Sequence, residues 1–466
     1  MASIVKRKSK YSVVYYYIDS EGEKRQRWES FDSHKEALKR KAEVEYKINE
    51  GAFIPPTEQK IRDFLADFVA MYGEKQWGVS VYSSNTGLIY NYINPIIGDE
   101  LIQNVTPLFV DKFYKELERT PAVSKNNRKP KTEFVAPKTI EKIHKLLSCA
   151  FKQAVRWEIL AKNPFGNATI QKTSYQKRAI WTPEEILTAL IACQDIKLCL
   201  ALHLAFACSL RAGEILGLTW DNVHISDKEI LDDNAHVVID KELERVSKNV
   251  IEVLGGKDII FTFPAVLSSN ASTRLVLMTP KTESSVRKVW LPKTVANILR
   301  DWKKSQDELK DFLGDDYQDF NLVIALQNGR PCENRILNKE FTALKQDTGL
   351  PNVVFHSLRH TSTTYKLKLN HGDLKATQGD TGHAQLAMIT EVYSHILDED
   401  RKVNAQKFEA AFYSNPDLRE IGSPDEKSSG FDVQPLLTEL KRNPELAAML
   451  SQLLSAQNNP EQQTLA

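Results

Sequence analysis

Two arginines occupy unusual positions in the second half of the sequence. Arg211 interrupts an apolar stretch in ACSLRAGEILGLTW, and Arg359 follows His356 by three residues in FHSLRHTS. That spacing would place His356 and Arg359 on one face of a helix, within reach of a single ligand. A guanidinium keeps its charge and binds two phosphate oxygens at once. The two arginines therefore point to chemistry on a phosphate group.

Such chemistry also needs a nucleophile and an acid. To cut a phosphodiester, a side chain must attack phosphorus, cations must stabilise the developing charge, and an acid must protonate the leaving 5′-oxygen. His383 and Tyr393 stand ten residues apart in TGHAQLAMITEVYSH, and Tyr393 supplies a hydroxyl. Lys281 lies in MTPKTESSVRKVWLP between two strand-like runs. We expect Lys281 at the tip of a hairpin, from which it reaches a leaving group.

Taken singly, each residue also has an ordinary structural explanation. Arg211 could form a buried pair with Glu214, and His356 and Arg359 could form local caps or salt bridges. Tyr393 alone fits the core of an amphipathic helix. Lys281 alone fits a solvated turn, and His383 alone fits a structural position. The phosphate hypothesis therefore rests on the ordered set and its surroundings.

The composition is that of a folded chain with reduced thiols. The 466 residues are 42% hydrophobic and 26% charged, which suits a globular protein of about two to four domains. No apolar run reaches the ~18 residues of a membrane span, and the N-terminus lacks the apolar region of a secretory signal. We therefore expect a cytoplasmic protein. Its cysteines show no CxxC spacing, so we expect no structural zinc. They are Cys149, Cys193, Cys199, Cys208 and Cys332.

Local basic clusters matter more than the net charge of +1, because binding to a polyanion depends on local charge. Each cluster alone is also explained as solvated surface. As a set, they are the candidate DNA-binding residues of the chain. These are Lys6, Arg7, Lys8, Lys24, Arg25, Arg27, Lys125, Arg128, Lys129 and Lys131.

Secondary-structure signals divide the chain into five segments. Residues 1–54 predict a small β-hairpin and a helix, with one strand at Tyr11–Ile18 and Ser33 as the helix N-cap. Residues 58–170 show apolar spacing of three and four, typical of helices, and 171–180 is a polar linker. A mainly helical domain with a small antiparallel sheet follows over 181–413, and 414–466 is a flexible tail.

The segment 181–413 contains a predicted helix start and a predicted region of strands. Thr182, followed by Pro183 and two acidic residues, predicts a capped helix start. Residues 235–292 are typical of strands, interrupted by a long irregular insertion around 250–275. The fold class that follows is multidomain α+β.

The order and surroundings of the candidate residues resemble the tyrosine recombinase (phage integrase) family, as found in phages and integrative conjugative elements. The chain carries SLRAGEI, PKTESSVRKVWLP, HSLRHT, TGH and VYSH in the family's order. The resemblance covers about residues 58–413. It implies a helical core-binding (SAM-like) domain over 58–170 and a catalytic domain over 181–413. The N-terminal hairpin and helix resemble arm-site DNA-binding modules.

The resemblance implies how the phosphate is held. Arg211 and Arg359 would clamp the scissile phosphate, and Glu214 would orient Arg211. His356 and His383 would hydrogen-bond the phosphate oxygens and help to move the tyrosine proton. No metal, cofactor or ATP is implied for this step.

The resemblance also implies a nucleophile and an acid. Tyr393 would form a 3′-phosphotyrosyl bond that stores the energy of the phosphodiester. Lys281 would protonate the leaving 5′-oxygen, with Arg287 and Lys288 as neighbouring basic alternatives.

The activity implied is site-specific recombination, meaning integration and excision of a mobile element or prophage. The partners implied are double-stranded attachment-site DNA, further copies of the chain as a homotetramer on DNA assembled from free monomers, and an excision factor or a host DNA-bending protein. The location implied is the bacterial cytoplasm, at the nucleoid. A type IB topoisomerase-like enzyme and a catalytically idle DNA-binding regulator are the alternatives.

Overall fold

The computed structural model describes most of the chain up to residue 375. The described residues are 2–18, 22–124, 130, 132–168, 170, 179–265, 271–282, 285–369 and 374–375. They belong to one compact unit, Met1–Ile396. His383, Tyr393, the basic residues at 125, 128, 129 and 131, and the predicted tail at 414–466 lie outside the described residues.

The N-terminal part is a three-stranded antiparallel sheet covered on one face by a helix. The strands are β1 (Ser3–Arg7), β2 (Lys10–Ile18) and β3 (Lys24–Phe31), in the order β1-β2-β3, and the helix is α1 (His34–Asn49). The predicted N-cap is confirmed, since the Ser33 side chain accepts a hydrogen bond from the Lys35 backbone N at 3.2 Å.

The predicted two-stranded hairpin was incomplete, because β1 adds a third strand. The chain reverses between β1 and β2 at Lys8, whose φ of 53° lies in the left-handed region. A glycine or an asparagine usually announces such a turn, and a lysine does not. The sequence signal for β1 was therefore missing at its turn.

The next part is a bundle of helices whose apolar residues, three and four apart, face one core. Single π-helical turns, Val69–Gly73 and Ile89–Ile93, join the second helix of the chain to the third and the fourth to the fifth. The helices are α2 (Ile61–Phe68), α3 (Glu74–Gln76), α4 (Val79–Leu88), α5 (Asn94–Ile97), α6 (Pro107–Leu117) and α7 (Pro137–Arg156).

The part from Trp181 onward combines helices with two small antiparallel sheets, as the α+β class predicts. The predicted helix start is confirmed, since Thr182 and Glu185 form a capping box. The helices are α8 (Pro183–Ala192), α9 (Ile196–Ala207), α10 (Ala212–Leu216), α11 (Asp227–Leu231), α12 (Lys248–Val253), α13 (Lys293–Leu313), α14 (Asn334–Thr348) and α15 (Phe355–Leu369). The strands are β4 (Val223–His224), β5 (His236–Ile239), β6 (Glu242–Ser247), β7 (Ile259–Thr262), β8 (Thr273–Met278) and β9 (Arg287–Trp290).

The sheets correct two predictions, the position of Lys281 at a hairpin tip and the irregular insertion around 250–275. One sheet has the order β4-β5-β9 and the other the order β6-β8-β7. Because β6 and β7 occupy both edges of β8, β9 pairs with β5 instead, and Lys281 lies in a loop between two sheets rather than at a hairpin tip. The insertion around 250–275 is not wholly irregular either, since it contains most of α12 and all of β7.

The sheet β6-β8-β7 packs against the helical bundle. Five apolar residues of this sheet and its neighbourhood share the core of the bundle, so that core is not made by the bundle helices alone. They are Val246, Val250, Leu254, Val276 and Met278. None of the helices in the described ranges has the length and apolar character to cross a membrane.

Candidate active site

Arg211 stands at the start of α10 and is held by a carboxylate one turn later. Its backbone N donates to Glu214 Oε2 at 2.9 Å, and its Nη1 donates to Glu214 Oε1 at 2.5 Å. The Glu214 side chain is only 1% exposed, whereas that of Arg211 is 32% exposed. The ion pair therefore fixes the guanidinium from the protein side while leaving part of it at the surface.

A second arginine binds the same buried carboxylate. Arg287, at the start of β9, donates from Nη1 to Glu214 Oε1 at 3.2 Å and from Nη2 to Oε2 at 3.0 Å. Its Nη1 also donates to the carbonyl of Ser285 at 2.9 Å. Burial alone would raise the pKa of Glu214, but Arg287 and Arg211 hold that pKa below its ordinary value. Glu214 is thus a charged anchor between α10 and the sheet β4-β5-β9.

This geometry predicts that Arg287 and its neighbour differ sharply in stability. Arg287→Met would remove the buried guanidinium that binds both Glu214 oxygens and leave Arg211 alone beside this carboxylate. The expected loss is about 3 kcal/mol, the lower end of the cost of breaking a buried ion pair. Lys288→Met is the matched control, because the Lys288 Nζ lies over the exposed Trp290 ring at 4.0 Å, and such contacts contribute about 0.5–1 kcal/mol. Urea unfolding of both variants measures the difference. Equal losses would contradict the anchoring role.

Arg359 lies inside the protein, close to the first arginine. It sits on α15, is 1% exposed, and donates from Nη1 to the carbonyl of Ser209. Ser209 belongs to the loop that leads into Arg211, and its hydroxyl lies 2.5 Å from that of Ser362 on α15. Burial, and next the positive charge of Arg211, lower the pKa of Arg359 to about 9. Cations held this close favour an anion between them.

His356 shares a helix with Arg359. It lies three residues earlier on α15, is exposed, and has its ring edge-on to His360 with 4.9 Å between the centroids. The three-residue spacing places His356 and Arg359 on one side of α15, as the sequence predicted.

Lys281, which follows β8, is linked to Arg211 by a carboxyl group that both cations influence. Its exposed Nζ donates to the Ser80 hydroxyl of α4 at 3.3 Å. Burial raises the pKa of the Glu242 carboxyl at the start of β6, whereas the charges of Lys281 and Arg211 act to lower it. Both cations are therefore within electrostatic range of one carboxyl group.

Close packing of α10 on β6 explains this proximity. A Cβ at Gly217 would lie 2.8 Å from the Leu243 backbone N, so only glycine allows the end of α10 to approach β6 this closely. Neither Glu242 nor the pairing of Arg287 with Glu214 was predicted from the sequence. The signal available for Glu242 was Gly217, whereas the pairing joins residues far apart in the chain.

The N-terminal sheet separates the predicted basic residues onto two faces. On the open face, the Arg7 guanidinium lies 4.4 Å from the Trp28 ring centroid, and the Lys24 Nζ lies 4.8 Å from that of Tyr16. Trp28 is 39% and Tyr16 53% exposed. The open face of the sheet therefore combines cations with exposed aromatic rings.

The other predicted basic residues of this sheet lie on the side of α1 or in a turn. Arg25 and Arg27 pair in register with Tyr17 and Tyr15, which pack in the core with α1. Lys6 lies over the Tyr11 ring at 5.5 Å, on the same side. Lys8 forms the turn between β1 and β2.

Sequence comparisons place the chain among known proteins. Residues 267–400 match the model of the phage integrase family, a span that includes Lys281, His356, Arg359, His383 and Tyr393. The ICEBs1 integrase of Bacillus subtilis (strain 168) is 24% identical over 331 residues, covering 70% of this chain and 77% of the relative. A XerC-like tyrosine recombinase of Caldanaerobacter subterraneus subsp. tengcongensis is 27% identical over 277 residues, covering 58% of this chain and 64% of the relative.

A structural comparison agrees on the fold. The Tn1549 transposon integrase, solved in complex with a circular intermediate DNA, superposes with a TM-score of 0.56 at 17% identity. The match covers 75% of this chain and 99% of that one. The family match and the relatives agree with the described geometry. Residues 267–400 are similar to the phage integrase family, and the chain as a whole is similar to integrases and to a tyrosine recombinase.

Proposed function

We propose that this enzyme integrates and excises a mobile element by site-specific recombination, cutting DNA through a 3′-phosphotyrosyl bond to Tyr393. The observation that carries the proposal is the convergence of Arg211 and Arg359, which a buried Glu214 and a shared loop hold close together. The relatives, named integrases, support the mobile-element role.

In the proposed mechanism, the arginines bind the scissile phosphate. The partly exposed Arg211 guanidinium, oriented by Glu214, meets the non-bridging oxygens first, and Arg359 binds from the protein side. Their charge stabilises the phosphorane-like transition state, in which negative charge on those oxygens increases. Burial and then repulsion from Arg211 lower the pKa of Arg359, and an anion at this site would offset both effects.

Tyr393 attacks phosphorus, and the bond to the 5′-oxygen breaks. His356 and His383 hydrogen-bond the phosphate and accept the tyrosine proton. The 3′-phosphotyrosyl bond keeps the energy of the phosphodiester, so attack by a 5′-hydroxyl of the partner duplex reseals the strand and releases Tyr393. Neither a metal nor ATP is required by this balance.

Lys281 protonates the leaving 5′-oxygen in this account. The Arg287 guanidinium binds Glu214, and the Lys288 amine lies over the Trp290 ring. Lys281, in contrast, is exposed, and its amine donates to a surface hydroxyl, that of Ser80. Opening of the Lys281–Ser80 contact would release the amine toward DNA.

A substrate with a better leaving group tests whether Lys281 or Lys288 is the general acid. Lys281→Ala should lower cleavage of ordinary DNA by about 10²–10⁴-fold, the usual contribution of a general acid. A substrate with sulfur in place of the 5′-bridging oxygen should restore the rate, because a thiolate leaves without a proton. Lys288→Ala is the control and should cleave both substrates normally. Failure of the sulfur substrate to rescue Lys281→Ala would contradict the acid role.

DNA contacts extend beyond the active site. We propose that the N-terminal sheet, residues 1–54, binds distal arm sites, that the core-binding domain, residues 58–170, holds the crossover site with the catalytic domain, residues 181–413, and that residues 171–180 link them. The exposed Arg7, Lys24, Tyr16 and Trp28 support the first assignment, since cations and aromatic rings on one open sheet suit DNA.

The two faces of the N-terminal sheet give a matched experiment. Arg7→Ala with Trp28→Ala should weaken arm-site binding by at least about tenfold while leaving crossover-site binding unchanged. Arg25→Ala with Lys6→Ala removes more charge, but from the side of α1, and should have the smaller effect. Footprinting on DNA that carries both sites measures each. A larger loss in the control pair would contradict the open face as the DNA surface.

The assembly proposed is a monomer in solution and a homotetramer on paired sites. The segment EDRKVNAQKFEAAFY after Tyr393 would dock on the neighbouring protomer, and an excision factor or a host DNA-bending protein would complete the complex. Such an enzyme would act on the chromosome in the bacterial cytoplasm.

Recombination of two attachment-site duplexes tests the proposed function. In EDTA and without ATP, the enzyme should convert paired sites into recombinant products, and four protomers should assemble on the paired DNA sites. Relaxation of plasmids without site preference would favour a topoisomerase-like enzyme. Tight binding without cleavage would favour an idle regulator.

A further inference from the structure

Two cysteines outside the proposed mechanism lie side by side where α8 meets α9. Cys193 follows the last residue of α8, and Cys199 lies in the first turns of α9. The Cys193 thiol donates to the carbonyl oxygen of Asp195 at 3.4 Å, and the Cys199 thiol lies within hydrogen-bonding range of the Cys193 sulfur. Two sulfur atoms this near to each other need little movement to form a bond.

A histidine completes the cluster. His203 lies one helical turn after Cys199 on α9 and hydrogen-bonds the Cys199 thiol. The neighbouring Cys193 thiol and then His203 lower the pKa of the Cys199 thiol, whereas the neighbouring Cys199 raises the pKa of Cys193. Cys199 is thus the thiol that ionises more readily, as in a nucleophilic cysteine beside a resolving one.

Exposure distinguishes this pair from the other cysteines of the same domain. Cys193 and Cys199 are partly exposed, so a small oxidant can reach them, while Cys208 and Cys332 are buried. Burial also raises the pKa of Cys332 to about 11, which keeps that thiol protonated and slow to react.

We propose that Cys193 and Cys199 are a modification site, a dithiol that hydroperoxides convert to a disulfide. The Cys199 thiolate attacks the peroxide, the O–O bond breaks, and the departing hydroxide takes a proton to leave as water. The sulfenic acid on Cys199 is then attacked by the Cys193 thiol, which forms the S–S bond and releases a second water. Two thiols lose two electrons, and the peroxide is reduced to two waters. The site does not depend on the recombinase mechanism.

Peptide mapping of the full-length protein treated with hydrogen peroxide tests the site. The expected product has lost two free thiols and contains a peptide in which a disulfide joins Cys193 to Cys199, reversed by dithiothreitol. A first disulfide between any other two cysteines, or stable oxidation of other thiols before this pair, would overturn the proposal. The wild-type map gives this answer even if a variant fails to fold.

Four variants assign the roles of the residues. Cys193→Ser should stop at a sulfenic acid on Cys199, which dimedone traps, and His203→Gln should oxidise several-fold more slowly because less thiolate is present. Cys199→Ser should lose the fast reaction. Cys149→Ser, a partly exposed cysteine in the bundle, is the matched control and should oxidise like the wild type. Equal rates for Cys199→Ser and Cys149→Ser would show that Cys199 is not the reactive thiol.

Discussion

Tyr393→Phe is expected to bind attachment-site DNA normally and to form no covalent complex with it. The substitution removes one oxygen, so packing hardly changes, but no hydroxyl remains to attack phosphorus. Denaturing gels of the protein with a nicked attachment site measure the covalent product, and gel shifts measure binding.

A matched tyrosine makes this experiment specific. Tyr365→Phe, in the same domain, changes a partly exposed tyrosine of α15 that stacks with Phe206, and it should cleave normally. Residual covalent product with Tyr393→Phe would mean that another side chain is the nucleophile.

Arg211→Lys is expected to lower the cleavage rate by at least ~10²-fold, by analogy with the loss of one transition-state donor. Lysine keeps the charge but cannot span two oxygens. It also cannot keep both the contact with Glu214 Oε1 and a two-oxygen contact with phosphate. Single-turnover cleavage of a bound site measures the rate.

The control for this variant changes a partly exposed arginine elsewhere in the catalytic part of the chain. Arg300→Lys alters a residue of α13 that pairs with the exposed Asp227 at 2.9 Å, so its cleavage rate should equal that of the wild type. Near-normal cleavage by Arg211→Lys would show that Arg211 serves only to bind Glu214.

The parts of the fold that could be predicted are those with local signals. The capping box at Thr182, the cap at Ser33 and the apolar spacing of the bundle each depend on residues within a turn or two. Even the spacing of His356 and Arg359 is a property of one helix. These signals need no knowledge of what lies elsewhere in the chain.

The features that could not be predicted join distant segments. The pairing of β9 with β5 rather than β8, which moved Lys281 from a hairpin tip to a loop between sheets, is decided by which strands already flank β8. The second arginine on Glu214 lies far along the chain. Sequence alone offered Arg287 as an alternative acid, and only its burial beside Glu214 argues against that role.

The proposed bond between Tyr393 and a 3′-phosphate can be identified by sequencing the peptide that stays linked to DNA. The wild-type enzyme is trapped on a nicked attachment site, digested with protease and nuclease, and analysed by mass spectrometry. The proposed bond predicts one modified tryptic peptide, ATQGDTGHAQLAMITEVYSHILDEDR, with a nucleotide 3′-phosphate on Tyr393 and a free 5′-hydroxyl on the released strand. An adduct on another residue, or a 5′-phosphate linkage, would contradict it.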